Sequence, residues 1–244
     1  MSITFVSALY NIYNFKEVQD ILLKNTKDLL DQNYKLIMYV DEFNYNALIT
    51  IGMSDNVRLI KYPIENINIY NMIISNKNLK LPIQRDEKKD TLEYMALMNS
   101  KVEFILKSLD IIDTEYVAWI DAGITKVFSD KQSFSKLNCK LNGSNVSNKI
   151  LIPGCYNIKL NFPELCSGVR WVFLGGFFAC NKNVIPNFYN LCIKVIKFFM
   201  DHSMMVWEVN IFAYIHSTHE NVFNWYYGDH NNSLSHIPSE YIEN

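Results

Sequence analysis

Several features that would place a chain in a broad class are scarce or missing in this sequence. Its five cysteines (Cys139, Cys155, Cys166, Cys180 and Cys192) are odd in number, widely spread and without a C-x-x-C pair. That argues against a disulfide framework or a structural zinc site and points to a reducing compartment, so a cytoplasmic location is expected. A surplus of either charge is also missing. The formal net charge of -2 argues against nucleic acid as the main partner, because phosphate binding calls for a basic excess. Apolar runs are too short for a membrane span: the longest candidate, IPNFYNLCIKVIKFFM, is interrupted by Asn and Lys. The opening MSITFVSALYN lacks a basic region followed by a long apolar stretch and does not read as a secretory leader. There is no internal repeat, and no Gly-, Pro- or Ser-rich linker separates two units. The expectation is therefore one domain over residues 1–244.

Apolar material is plentiful. Hydrophobic residues make up 49% and aromatics 14% of the chain, ample for a core. SITFVSALY reads as a first strand that opens into a loop at Tyr10–Asn11. FKEVQDILLKNTKDLLDQ has helical apolar spacing, and YKLIMYVDE is a second strand ending at Asp41–Glu42. NALITIG suits a short helix, and VRLIKYP a third strand stopped by Pro63. The β-α-β-α-β order implies an α/β fold with a mostly parallel sheet and helices on its faces. Residues 64–90 are polar and weakly periodic, read as a helical excursion or flap. TLEYMALMNSKVEFILKSLDII predicts one long amphipathic helix leading into the buried strand EYVAWIDAGI. Beyond it, SDKQSFSKLNCKLNGSNVSNK reads as a helix fragment and loop, and ILIPG as a short strand. VRWVFLGGFFAC reads as a strand broken at its glycines, followed by helices over VIPNFYNLCIKVIKFFMDH and MVWEVNIFAYIHSTH. VFNWYYGDHNNS is an aromatic strand whose surface could also serve an interface.

Sheets of this kind bind ligands beyond the carboxyl ends of their strands, and Asp121 stands at such an end beside Ala122 and Gly123. His230 follows another apolar strand, and a carboxylate with an imidazole suits a divalent ion such as Mn²⁺ (or Mg²⁺). Each also has a plain alternative, a cap for Asp121 and a loop residue for His230. Gly175 and Gly176 interrupt a bulky segment, as a β-bulge or to let a ligand pass close to the backbone. Arg170 could pair with a phosphate or carboxylate, or be a surface arginine. Glu208, among Val206, Trp207, Val209 and Ile211, is a candidate general base or the polar side of an amphipathic helix. Asn99 and Lys101 offer a diphosphate contact or, for the lysine, a solvated face.

With these residues in hand, the chain resembles the HtrL/YibB family, which is similar in pattern to glycosyltransferases of the GT-A fold. The motifs that carry the resemblance are FVSALYNI, MNSKVEFI, YVAWIDAGI, RWVFLGGFFACNK, WEVNIFAYI and YYGDHNNS, in the family's order and across nearly the whole chain. The resemblance implies a GT-A-like, Rossmann-like mixed sheet. Residues 1–125 would form the nucleotide-binding half and 126–244 the sugar- and acceptor-binding half. It implies transfer of a sugar from a UDP- or GDP-sugar donor to a glycan, lipid-linked or protein-linked acceptor. Asp121 and His230 would hold the metal on the donor diphosphate, and Tyr10, Asn11 and Asp41 would cradle base and ribose. Gly123 departs from the pattern, standing where an Asp-x-Asp motif has its second aspartate. The alternatives are a non-catalytic glycan- or nucleotide-binding module on the same fold and, more remotely, a metal-dependent phosphoester hydrolase.

Overall fold

The computed structural model describes residues 3–12, 16–32, 34–137 and 148–241; Cys139 and the rest of 138–147, within the expected helix fragment and loop over 129–149, lie outside the described residues. Seven strands form one sheet in the order β3-β2-β1-β4-β6-β5-β7. They are β1 (Ile3–Leu9), β2 (Lys35–Val40), β3 (Val57–Lys61), β4 (Tyr116–Ile120), β5 (Ile150–Gly154), β6 (Phe177–Asn181) and β7 (Phe223–Tyr227). β3, β2, β1 and β4 run parallel. β6 is antiparallel to both β4 and β5, and β7 is parallel to β5. The fold is therefore α/β with a mostly parallel mixed sheet. Because β6 pairs with β4, the two halves of the sequence share that sheet.

The period of two along each strand divides the core between two faces. Val6, Ile37, Tyr39, Val117, Trp119, Ile152 and Phe178 point to one side. There they meet α3 (Asn68–Ile74), α4 (Leu92–Asn99), α5 (Lys101–Ser108), α7 (Phe162–Ser167), α8 (Ile185–Asp201) and α9 (Glu208–Thr218). Phe5, Leu36, Met38, Ala118, Ile120 and Phe177 point to the other side. That face is covered by α1 (Lys16–Leu30), α2 (Glu42–Ile51) and α6 (Lys131–Ser135). β4 is buried at every position, as its unbroken apolar run requires in the middle of a sheet covered on both faces.

Two expected elements are corrected. The single helix over 91–112 is two helices, α4 and α5, parted at Ser100. Its hydroxyl donates to Ala96 O (2.8 Å) and the neighbouring Asn99 amide to Met95 O (2.8 Å). Side chains bonding back to the preceding turn compete with the backbone ladder and bend it. The strand expected over 169–180 begins only at Phe177. Before it, Cys155 N donates to Trp171 O (3.1 Å) and Leu174 N to Pro153 O (2.8 Å), so the segment skirts the end of β5 without forming a ladder. Within 64–90 the helical excursion is α3, seated on a carboxylate absent from the sequence reading. Glu103, 1% exposed, accepts from the amides of Asn68 and Ile69 at that helix's start, each at 2.8 Å.

Candidate functional site

The strand order turns back between β1 and β4: β2 and β3 build outward from one side of β1, and β4 adds to the other. The carboxyl ends of β1 and β4 flank that switch point, where an open α/β sheet leaves a crevice. Tyr10 and Asn11 follow β1, Asp41 follows β2 and Asp121 follows β4.

Asp121 continues the alternation of Val117 and Trp119 and faces α5. Its Oδ1 accepts from the Trp119 indole Nε1 (2.6 Å) and pairs with Lys101 Nζ (2.9 Å). Lys101 also donates to Glu208 Oε1 (2.7 Å) and to Gly175 O (2.9 Å). An ammonium has three donors, and all three are met by the protein. Burial pulls the Lys101 pKa down, while Asp121 and Glu208 push it up by more, leaving it above the ordinary lysine value. Lys101 is only 2% exposed, so the solvated-face reading is overturned, and the diphosphate reading lacks a donor to use. A signal for this was present in the sequence. Lys101 sits at helical spacing with the buried Leu97, Phe104 and Ser108, so it lies on the inward stripe.

Glu208 opens α9 and is 6% exposed, so its place on a solvated helix side is also corrected. It is not an isolated carboxylate in apolar surroundings, because the Lys101 ammonium is its partner. Gly175 makes the pairing possible: a Cβ there would lie 2.3 Å from Glu208 Oε1. At Gly176 a Cβ would meet Ile124 Cδ1 at 2.8 Å and Asp121 Oδ2 at 3.5 Å, and Gly176 O accepts from Asp121 N (2.9 Å). The glycines thus let two carboxylates approach the backbone, a reason the sequence reading did not contain. Gly123 has φ -95°, open to any residue, so the turn there does not require glycine.

Two carboxylates against one ammonium leave the cluster with one net negative charge. Asp121 is its outlet: the side chain is 35% exposed, and Oδ2 has no hydrogen-bond partner among the described residues. A hard divalent cation of the Mg²⁺ type is commonly bound through one or two carboxylates, completed by waters and substrate phosphates. Asp121 Oδ2 fits that role.

The remaining candidates divide. Asp41 accepts from Asn11 N (2.7 Å) and caps α2 through Asn44 N (2.8 Å), which ties the first loop to the second. Tyr10 is buried, donates to Tyr62 O (2.9 Å), and has its phenol pKa raised by burial and by Asp41. Asn11 Oδ1 is a buried acceptor without a partner among the described residues. Asn99 is buried and donates to Val206 O (2.8 Å), fixing the approach to Glu208. The Arg170 guanidinium donates to Glu164 O (3.1 Å) and Ser167 Oγ (2.6 Å), and no described contact joins it to Asp121.

His230 follows β7, whose carboxyl end lies on the same sheet edge as that of β4 but three strand steps away. At about 4.8 Å per step, that is roughly 14 Å. Its described contacts are with Asp229 (Nδ1 to Oδ1, 3.3 Å) and with the Trp171 ring (4.5 Å between centroids), not with Asp121. Among the described residues, no group of three or more His, Cys, Asp and Glu side chains is arranged to hold a metal ion. Two concavities lie apart from these residues, one lined by Asp28, Thr125 and Phe134 and the other by Lys194, Phe198 and Tyr214.

No family model matches the chain, and no curated protein does.

Proposed function

We propose that the chain is a glycosyltransferase of the GT-A type that moves a sugar from a UDP- or GDP-sugar donor to a glycan, lipid-linked or protein-linked acceptor. The single observation that carries this reading is Asp121: one oxygen held by Lys101 and Trp119, the other free at a carboxyl edge beside the switch point. The motif order shared with HtrL/YibB proteins supports the same reading, as does the parallel β3-β2-β1-β4 half of the sheet.

The reaction is a displacement at the anomeric carbon with a nucleoside diphosphate as leaving group. Charge gathering on the departing phosphates is its main electrostatic demand. A Mn²⁺ or Mg²⁺ ion, when bound, supplies that neutralisation. The protein's part is to present the ion with Asp121 Oδ2 in a fixed orientation. Lys101 holds Oδ1, and Glu208 shares the ammonium so that the site keeps one net negative charge. Glu208 acts here as a positioning residue. Its burial and its ion pair keep it from an acceptor hydroxyl.

Those same facts favour a second reading, a non-catalytic nucleotide- or glycan-binding module. It has no exposed base at Glu208 and only glycine at position 123. One experiment separates the possibilities. The melting temperature should rise with UDP or GDP only when Mn²⁺ is present, and the shift should vanish in Asp121→Asn, which keeps an acceptor for Trp119 and Lys101. A flat response across nucleoside diphosphates and divalent ions would overturn the transferase and a nucleotide-binding module, and leave only a glycan-binding one. Release of free sugar from the donor by wild type, absent in Asp121→Asn, would decide for the enzyme.

A further inference from the structure

The carboxyl edge of the sheet carries a second arrangement, around His230, that the Asp121 site does not use. β5 ends at Gly154 and β7 at Tyr227, and the two ends are joined by Gly228 N donating to Gly154 O (3.0 Å). Beside them Cys155 N donates to Trp171 O (3.1 Å), which brings the 169–176 segment onto the same edge. Trp171 is 39% exposed. The other tryptophans (Trp119, Trp207 and Trp225) are buried or intermediate, so Trp171 is the most exposed of the four.

Its ring is not loose. The His230 imidazole stands nearly perpendicular to it, at 81° and 4.5 Å between centroids. His230 is fixed in turn by Asp229, whose Oδ1 accepts from His230 N (2.7 Å), lies 3.3 Å from the imidazole Nδ1 and takes the Cys155 thiol at 3.6 Å. All these contacts use one oxygen. Asp229 Oδ2 has no hydrogen-bond partner among the described residues, and its side chain is 46% exposed. Tyr227, at 61% exposure, ends the neighbouring strand.

We propose that Trp171, His230 and Asp229 form a saccharide-binding platform. An oriented indole offers a flat apolar surface to the C–H face of a pyranose. A neighbouring carboxylate oxygen with open lone pairs accepts from ring hydroxyls, and the two together match a molecule apolar on one side and hydroxylated at its rim. An apolar partner would leave the carboxylate desolvated and unpaired, and an anionic one would be repelled by it. The platform lies on the same carboxyl edge of the sheet as the Asp121 site. Trp171 lies five positions before Gly176, whose carbonyl binds Asp121 N, so at most about 18 Å of chain divides them. The bound saccharide is then the acceptor, an assignment that rests on the transferase reading, whereas saccharide binding itself does not.

Calorimetric titration of the whole protein tests this, using glucose, galactose and N-acetylglucosamine oligosaccharides without nucleotide or divalent ion. Saturable binding is expected for at least one of them, weakened at least about tenfold in both Trp171→Ala and Asp229→Asn. Both variants should keep the wild-type melting temperature and its response to nucleotide with Mn²⁺. Absence of binding across the panel, or equal binding by Trp171→Ala, overturns the platform. Binding that behaves as expected in a protein blind to nucleotide diphosphates upholds the platform and removes only the transferase reading.

Discussion

Lys101 concentrates the energetic consequences of the site in one side chain. Its ammonium is buried with Glu208, while the Asp121 arm is partly exposed and screened, so most of the stabilisation lies on the Glu208 side. Breaking a buried pair from one side strands the other charge. Lys101→Met is expected to cost about 3–5 kcal/mol in urea unfolding, and Lys101→Met with Glu208→Met to recover most of it. Additive losses in the double variant would show that the two charges are not coupled. The two glycines separate just as clearly. Gly175→Ala drives a methyl into a carboxylate pinned by Lys101 and should destabilise by about 1–3 kcal/mol. At Gly176 the nearest obstacle is the end of a flexible isoleucine side chain, so alanine should cost less there. Equal midpoints for the two variants would contradict this account of the glycine pair.

At the scale of elements, the break at Ser100 sets the geometry of the helical face. It lets Asn99 reach Val206 O ahead of α9, while Glu103 in α5 reaches the start of α3. Helices α3, α4, α5 and α9 are thereby joined on one face through side chains buried beneath them. Glu103→Ala removes the acceptor for the Asn68 and Ile69 amides and should cost about 1–3 kcal/mol. Hydrogen exchange should show faster exchange at those two amides, with β4 little changed. Glu103→Gln keeps one oxygen and should fall between. The sequence disclosed α4 and α5 as apolar periodicity but not their division. Periodicity records which face is buried, whereas the break depends on carbonyl acceptors that side chains find in the preceding turn and ahead of α9.

For the whole molecule, the buried titratable groups set a direction for pH dependence. The folded-state pKa of Lys101 is raised above its ordinary value of 10.5. Its contribution is thus fully present below that value and is lost as pH climbs through the folded-state pKa. Burial pushes the thiols of Cys155, aided by Asp229, and Cys166 up from 9.0 to about 11. The folded state holds those protons while the unfolded chain releases them, so stability falls from about pH 9 upward. The urea midpoint should therefore decline between about pH 9 and about pH 11, and less steeply in Lys101→Met above the ordinary lysine pKa. A midpoint that holds constant over that range would contradict the burial of these groups. Among the described residues, no helix is long and apolar enough to cross a membrane, in keeping with the interrupted apolar runs of the sequence.

The sequence by itself determined the alternation of strands and helices, the central place of β4 and the delivery of Asp121 to its carboxyl end. Those depend on the order and period of apolar residues within short windows. Only the tertiary structure decided that Lys101, Asp121, Gly175 and Glu208 meet, and that His230 joins Trp171 instead of Asp121. Each of those contacts joins residues distant in the chain: the inward stripe of the helix places Lys101 toward the core but does not name the carboxylates that meet it there. Charge compensation is a property of assembled elements, so it becomes visible only once they are packed.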